Sequence, residues 1–237
     1  MTTRFATLLL GVAVLAACGG ETKTKAADTA AAPPPAVTPN VTATPAPAVF
    51  RVRFETSKGP FVVEARREWS PNGVDRFYQL VSSGFFDNIR FIRVIPGFMA
   101  QFGIHGDPKV AAQWEPLSIP DDPVTHSNKR GYVTYATHGA NSRTTQLFIN
   151  FKDNAFLDSQ GFTPIAQVVE GMPVVDGLYS GYGDGPPDGK GPDQTRVHNE
   201  GNVYLEKEFP KLDFIRSARL ENVAVVDSAK KGGPAKK

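Results

Sequence analysis

Residues 91–103 read FIRVIPGFMAQFG, an apolar stretch in which Arg93 is the single charged residue. Such a run predicts a strand that enters a hydrophobic core, interrupted by a turn at Pro96-Gly97. A guanidinium keeps its proton at physiological pH, so its burial without a partner would cost free energy. No Asp or Glu lies in the segment, and the sequence does not show whether a distant carboxylate orients Arg93.

A hairpin and a helix are predicted upstream of this stretch. VFRVRFET, residues 49–56, alternates apolar and polar side chains as a half-buried strand does, and GPFVVEARR, residues 59–67, predicts its partner. In SPNGVDRFYQLVSSGFF, residues 70–86, apolar side chains recur at helical spacing instead. Ser70 can cap this helix and Gly84 predicts its end.

Short strands dominate the predictions for the rest of the chain, at 89–95, 97–102, 131–136, 146–150 and 164–169. A short helix is expected in EGMPVVDGLYS, residues 170–180, and 193–210 could hold another despite Gly201. Residues 212–227 predict a closing strand. Because strands do not alternate regularly with helices, the pattern favours a closed antiparallel barrel or a sandwich.

The first residues, MTTRFATLLLGVAVLAAC, place one arginine and an apolar run before Cys18. The run is too short to span a bilayer and is typical of a secretory signal. The ending LAAC resembles the lipobox of bacterial lipoproteins, which implies a signal peptide at 1–17 and lipidation of Cys18. An ordinary signal with a cysteine near its cleavage site is the alternative. Cys18 is the only cysteine, which excludes an intramolecular disulfide.

Composition sets the remaining boundaries. Residues 18–48 are rich in Ala, Pro and Thr, which predicts a disordered tether. The folded domain is expected at 49–227, followed by a basic flexible tail at 228–237. The chain has 26 Lys+Arg against 24 Asp+Glu, a net charge of +2, so there is no electrostatic reason to expect nucleic acid as a partner.

Common catalytic motifs are missing from the sequence. GYGDGPPDGKG, residues 181–191, lacks the spacing of a phosphate-binding loop and is interpreted as a flexible surface excursion. No two of the four histidines are spaced as a metal-ligand pair, and there is no G-x-S-x-G motif. We therefore expect chemistry that needs no metal, cofactor or nucleophile.

FIRVIPGFMAQFG resembles the signature of the cyclophilin family of peptidyl-prolyl isomerases. Three further segments resemble the family in the same order: SPNGVDRFYQLVSSGFFDN at 70–88, YATHGANSRTTQLFIN at 135–150 and NAFLDSQGFTPIAQVVEGM at 154–172. The resemblance implies a mainly β fold, a closed eight-stranded antiparallel barrel capped by two or more α-helices. It departs from the common pattern at Ile92, where many members have His, and at Thr137, where many have Asn.

The same resemblance implies a groove that binds proline-containing polypeptides. Its catalytic residues would be Arg93, Gln101 and Phe98. Its substrate-binding residues would be Met99, Ala136, Thr137, Gln146, Phe148, Phe156, Leu157 and Phe162. In the 91–103 stretch, Ile92 and Val94 would then pack inside the barrel, while Phe98 and Met99 face the substrate.

An arginine suits the chemistry that the resemblance implies. Rotation about the bond before proline has a barrier of about 18–20 kcal/mol, because it removes amide resonance. The twisted amide carries a lone pair on the prolyl nitrogen, and a donor aimed at it binds that state more tightly than either planar isomer. The partner of Arg93 would then arrive with the substrate.

Three functions stay open from the sequence. The first is a monomeric isomerase, lipid-anchored in the cell envelope and facing the periplasm or the outside, which acts on envelope proteins. The second is a module or chaperone that binds proline segments with little turnover. The third is a structural envelope component whose groove has no role.

Overall fold

The structure, a computed structural model, describes residues 37–39 and 45–221. The predicted signal peptide, Cys18, most of the tether and the basic tail lie outside these residues. The strands are β1 (Val49–Thr56), β2 (Gly59–Arg66), β3 (Ile89–Arg90), β4 (Arg93–Ile95), β5 (Met99–Phe102), β6 (Tyr132–Tyr135), β7 (Leu147–Asn150), β8 (Pro164–Glu170) and β9 (Phe214–Leu220). The helices are α1 (Pro71–Ser82), α2 (Pro108–Trp114), α3 (Met172–Asp176) and α4 (Gln194–Glu208), with a 3₁₀ helix at Ala155–Gln160.

The strands form one antiparallel sheet in the order β3-β9-β1-β2-β8-β6-β7-β5-β4. This sheet curls into an open half-barrel of nine strands, so the prediction of a closed eight-stranded barrel is wrong. The reason lies at Phe91 and Ile92, where the predicted strand 89–95 changes partner. β3 pairs with β9, whereas β4 pairs with β5. The two short strands are therefore the two edge strands of the sheet, at opposite ends of the strand order.

The main core lies between the curled sheet and α1. Phe50, Val52 and Phe54 alternate along β1 and are all buried, as the period of the strand predicts. The rings of Phe54 and Phe61 stack with centroids 4.8 Å apart, and Phe77 of α1 lies 6.4 Å from Phe54. Each such side chain stabilises the fold by about 1.5–3 kcal/mol through removal of apolar surface from water.

The predicted role of Ser70 as a side-chain cap of α1 is wrong. Its hydroxyl donates a hydrogen bond to the Asp122 carboxylate at 2.5 Å instead of accepting one from the helix. Asp122 accepts hydrogen bonds from the first-turn N–H groups of Asn72 at 3.1 Å and Gly73 at 2.9 Å. A residue distant in sequence therefore satisfies the helix N-terminus.

A second, smaller cluster packs α2 and α4 beside the sheet. Its buried members are Ile92, Ile104, Ala111, Val197, Tyr204, Leu205 and Leu212. Ile92 therefore packs against this cluster and not in the barrel core, whereas Val94 lies in the main core as predicted. Gly201 divides α4 because its φ of 59° and ψ of −143° are not helical. Within residues 37–39 and 45–221, no helix is long and apolar enough to cross a membrane.

Candidate functional site

One row of paired residues crosses three neighbouring strands and defines the site. Arg93 of β4 is opposite Gln101 of β5, and Gln101 is opposite Phe148 of β7. Side chains opposite each other in an antiparallel pair lie on the same face of the sheet. The alternation of each strand therefore brings a cation, an amide and an aromatic ring together. They line a cavity of about 540 Å³.

The apolar part of this cavity is separate from the hydrophobic core. Met99, Phe148 and Leu157 form a distinct buried cluster, packed against Ile95, Phe98, Ala136 and Phe162. Phe148 and Phe162 meet edge to face with ring centroids 5.8 Å apart. Three of these side chains are at most 5 % exposed: Met99, Phe148 and Leu157. The cluster therefore offers a preformed apolar wall to a small ring-shaped group.

Polar side chains border the apolar wall on one side. The Gln101 side-chain amide donates a hydrogen bond to Gln146 Oε1 at 2.8 Å, and the Ala136 N–H donates to the Gln146 carbonyl oxygen at 3.0 Å. Both glutamines and Ala136 line the cavity. Gln101 is 5 % exposed, so its position is fixed by packing as well as by hydrogen bonding. Amide groups held in this way can hydrogen-bond the backbone of a bound peptide.

Arg93 has an acidic partner that the sequence does not reveal. Its Nε and Nη2 atoms each donate to one oxygen of the Asp184 carboxylate, both at 2.6 Å. The two residues are 91 positions apart, and their side chains are 27 % and 23 % exposed. The hydrogen bonds from Arg93 hold the pKa of the Asp184 carboxyl below its ordinary value. The partner of Arg93 is therefore part of the protein itself.

The third nitrogen of the guanidinium, Nη1, does not contact Asp184. Nη1 lies 3.4 Å from Gln101 Oε1, near the upper limit for a hydrogen bond. Nη1 is the guanidinium nitrogen that Asp184 does not engage, and it lies beside Gln101, which lines the cavity together with Arg93. The arginine can donate to a bound group without breaking its pair with Asp184.

The far wall of the cavity comes from α2, α4 and the loop that precedes β7. Its residues are Glu115, His138, Ser142, Thr144, Gln194, Thr195, His198 and Asn199. Burial lowers the pKa of His198, against a smaller opposing effect of Glu115. The sequence gives no local sign of the residues from α2 and α4, because only tertiary packing brings these helices to the groove, whereas His138, Ser142 and Thr144 lie in the loop between the predicted groove residues Thr137 and Gln146.

Ten of the eleven predicted groove residues line this cavity: Arg93, Phe98, Met99, Gln101, Ala136, Thr137, Gln146, Phe148, Leu157 and Phe162. Phe156 does not line it. Its side chain is 55 % exposed and stacks on Phe98 with ring centroids 5.9 Å apart. Cys18 lies outside the described residues. Among the residues that the structure describes, no group of three or more His, Cys, Asp or Glu side chains could hold a metal ion.

The fold and the groove are those of a domain of the cyclophilin type. Residues 51–200 match the family model described as cyclophilin type peptidyl-prolyl cis-trans isomerase/CLD. The chain belongs to this family, and the prediction of an enzyme of the peptidyl-prolyl cis-trans isomerase class is confirmed.

Individual relatives agree with the family match. Peptidyl-prolyl cis-trans isomerase A of Dickeya dadantii is 38 % identical over 131 residues, which cover 53 % of this chain and 68 % of the relative. Peptidyl-prolyl cis-trans isomerase B of Escherichia coli is 36 % identical over 134 residues, covering 53 % and 81 %. A Cryptosporidium parvum cyclophilin, crystallised in the presence of the dipeptide Ala-Pro, shares the fold with a TM-score of 0.52 at 18 % identity, covering 73 % and 99 %.

Proposed function

We propose that this chain catalyses cis-trans rotation about Xaa-Pro bonds in envelope proteins, and that Arg93 stabilises the twisted amide. The observation that carries the proposal is the row of Arg93, Gln101 and Phe148, which places a cation beside a preformed apolar wall. The wall would hold the proline ring of a substrate. The C. parvum cyclophilin of similar fold was crystallised in the presence of the dipeptide Ala-Pro.

The mechanism follows from what changes during rotation. The planar amide shares its nitrogen lone pair with the carbonyl, and the twisted amide does not. An N–H of Arg93 that reaches the prolyl nitrogen gains a hydrogen bond only in the twisted state, which lowers the barrier. Gln101 and Gln146 would hold the backbone on one side of the bond while the other side turns. No proton is transferred, so the reaction needs no titratable base.

A module that binds proline segments with little turnover is the second candidate. The observation that favours it is the bidentate pair, because Asp184 already occupies two nitrogens of the Arg93 guanidinium. In that case Arg93 would contribute to the shape of the groove but not to the rate. The two candidates predict different results for one substitution.

The deciding experiment compares the wild type with Arg93→Ala by NMR exchange on a peptide with a single Xaa-Pro bond. Loss of one preorganised donor is expected to lower kcat/KM by about 10²–10³-fold. Peptide affinity should change much less, since the interaction is made in the transition state. Arg130→Ala is a matched control, because Arg130 pairs with Asp176 at 2.7 Å outside this cavity. An unchanged exchange rate in Arg93→Ala would exclude the mechanism.

Anchoring and oligomeric state form a separate part of the proposal. The lipobox-like LAAC sequence supports lipidation of Cys18, and the tether to residue 48 would let a monomeric domain act at a distance from the membrane of the envelope. Labelling of cells with a fatty-acid analogue should mark the wild type and not Cys18→Ser. Sedimentation of the domain is expected to give a single monomeric species. Equal labelling of both proteins would rule out the anchor.

A further inference from the structure

The pair between Arg93 and Asp184 involves a loop whose sequence indicates a flexible surface excursion. The loop, residues 181–191, follows α3 and precedes α4. Its Asp184 side chain is about three-quarters buried against Arg93, at 23 % exposure. For this residue the interpretation is wrong. The loop supplies the counter-charge of the cavity's arginine.

Two glycines give this loop the close backbone contact that places Asp184. The Gly191 N–H donates to the Asp184 carbonyl oxygen at 2.7 Å. A Cβ at Gly191 would lie 2.8 Å from that oxygen, and one at Gly189 would collide with it. The Gly185 N–H donates to the Asp184 carboxylate itself at 2.8 Å. The glycines therefore allow the loop backbone to pack closely around Asp184.

Aromatic packing anchors the loop at its start. Tyr182 meets Tyr179 and Phe209 edge to face, with ring centroids 5.1 Å and 5.0 Å apart. The Lys211 N–H is 3.3 Å from the Tyr182 hydroxyl oxygen. At the other end, Asp193 caps α4 by accepting a hydrogen bond from the Arg196 N–H at 3.1 Å. Packing and hydrogen bonds therefore fix the chain on both sides of Asp184 in sequence.

We propose that Asp184 is a positioning residue, which fixes the plane of the Arg93 guanidinium so that Nη1 is presented to the groove. Two hydrogen bonds to the two carboxylate oxygens define that plane, which a single bond would not do. The arginine then needs no reorganisation when the amide twists, and preorganised donors stabilise a transition state most effectively. The proposal rests on the isomerase function proposed above.

The experiment uses Asp184→Asn, which keeps the shape of the side chain but turns an amide nitrogen toward the guanidinium. We expect kcat to fall about ten-fold, since small misplacements of a catalytic group are costly. KM should stay within about two-fold, because binding of the planar substrate does not need the pair. Asp184→Glu should restore part of kcat. Asp188→Asn is the matched control, since Asp188 is an exposed carboxylate of the same loop.

Two further measurements separate positioning from a structural effect. In an Arg93→Ala background, Asp184→Asn should cause no further loss of kcat, because there is no guanidinium left to place. The Nε–H signal of Arg93 in NMR spectra should shift and exchange faster in Asp184→Asn, with or without substrate. Equal fold-losses in both backgrounds, an unchanged or higher kcat, or the same loss in Asp188→Asn would overturn the proposal.

The outcomes also distinguish this proposal from the function on which it rests. A wild type without catalysis would refute the isomerase function, and the positioning role with it. A wild type that is active and insensitive to Arg93→Ala would refute both the arginine mechanism and the positioning role. If the wild type and Arg93→Ala behave as expected while Asp184→Asn keeps full kcat, only the positioning role fails.

Discussion

Replacement of Asp122 by alanine should destabilise the protein strongly, although Asp122 does not line the groove. Its carboxylate accepts hydrogen bonds from the Ser70 hydroxyl, the Asn72 and Gly73 N–H groups, and Nη2 of Arg143 at 3.0 Å. The residue is 8 % exposed and the Arg143 side chain is 3 % exposed. The substitution would therefore leave a buried guanidinium without its main partner.

The size of the effect follows from these contacts. Breaking a buried ion pair by removing one partner costs about 3–5 kcal/mol. Asp121 lies 3.2 Å from Arg143 Nε and is 39 % exposed, so it compensates part of the charge. We therefore expect a loss near the lower end, about 3 kcal/mol, in the free energy of unfolding. Asp122→Asn keeps one acceptor oxygen and should cost about 2 kcal/mol.

Urea unfolding at pH 7, followed by tryptophan fluorescence, measures this loss. Trp69 and Trp114 are 6 % and 1 % exposed, so both report on the opening of the fold. Asp121→Ala is the control, because the Asp121 carboxylate is 39 % exposed and its removal should cost less than removal of the buried Asp122 carboxylate. A loss below about 1 kcal/mol in Asp122→Ala, or one equal to that of Asp121→Ala, would refute the reasoning from burial.

Three further outcomes follow from the structure. Burial alone would raise the pKa of Asp122, but its hydrogen bonds lower it overall. Its contribution is therefore present above the unfolded pKa of about 3.9 and lost as pH falls through the folded pKa. When the urea midpoint of unfolding is measured at decreasing pH, it should fall less in Asp122→Asn than in the wild type. Gly189→Ala should lower kcat toward the value of Asp184→Asn, because its Cβ would displace the Asp184 backbone; a wild-type kcat would contradict this. Phe162→Ala should lower kcat/KM about ten-fold and Phe156→Ala about two-fold, since only Phe162 lines the cavity; equal losses in peptide assays would count against it.

Local patterns predicted the parts of the fold that local physics determines. The alternation in β1 and β2 and the helical period of α1 each reflect burial against one core, so the hairpin and the helix appear where expected. The start of α2 could also have been predicted from the sequence. Asp107 accepts a hydrogen bond from the Lys109 N–H as an N-cap, and Pro108 occupies the first turn, a combination that the sequence contains.

Features that depend on distant contacts could not be predicted in this way. The change of partner at Phe91 and Ile92 depends on where β9 and β5 lie, and the apolar run gives no sign of it. The pairing of Arg93 with Asp184 joins residues 91 positions apart. Spacing excludes a phosphate-binding loop at residues 181–191 but does not show whether the loop is exposed, because glycine serves both flexible turns and close backbone packing.

The pair with Asp184 explains how a charge is tolerated in the apolar stretch that carries the groove. A lone guanidinium at 27 % exposure would lose much of its hydration, whereas a bidentate carboxylate replaces those interactions with two short hydrogen bonds. The same pair leaves Nη1 weakly engaged beside Gln101. A counter-ion contributed by the substrate would have to bind and leave in each turnover. A counter-ion built into the loop keeps the arginine desolvated and oriented between turnovers, and this is the condition that a preorganised donor requires.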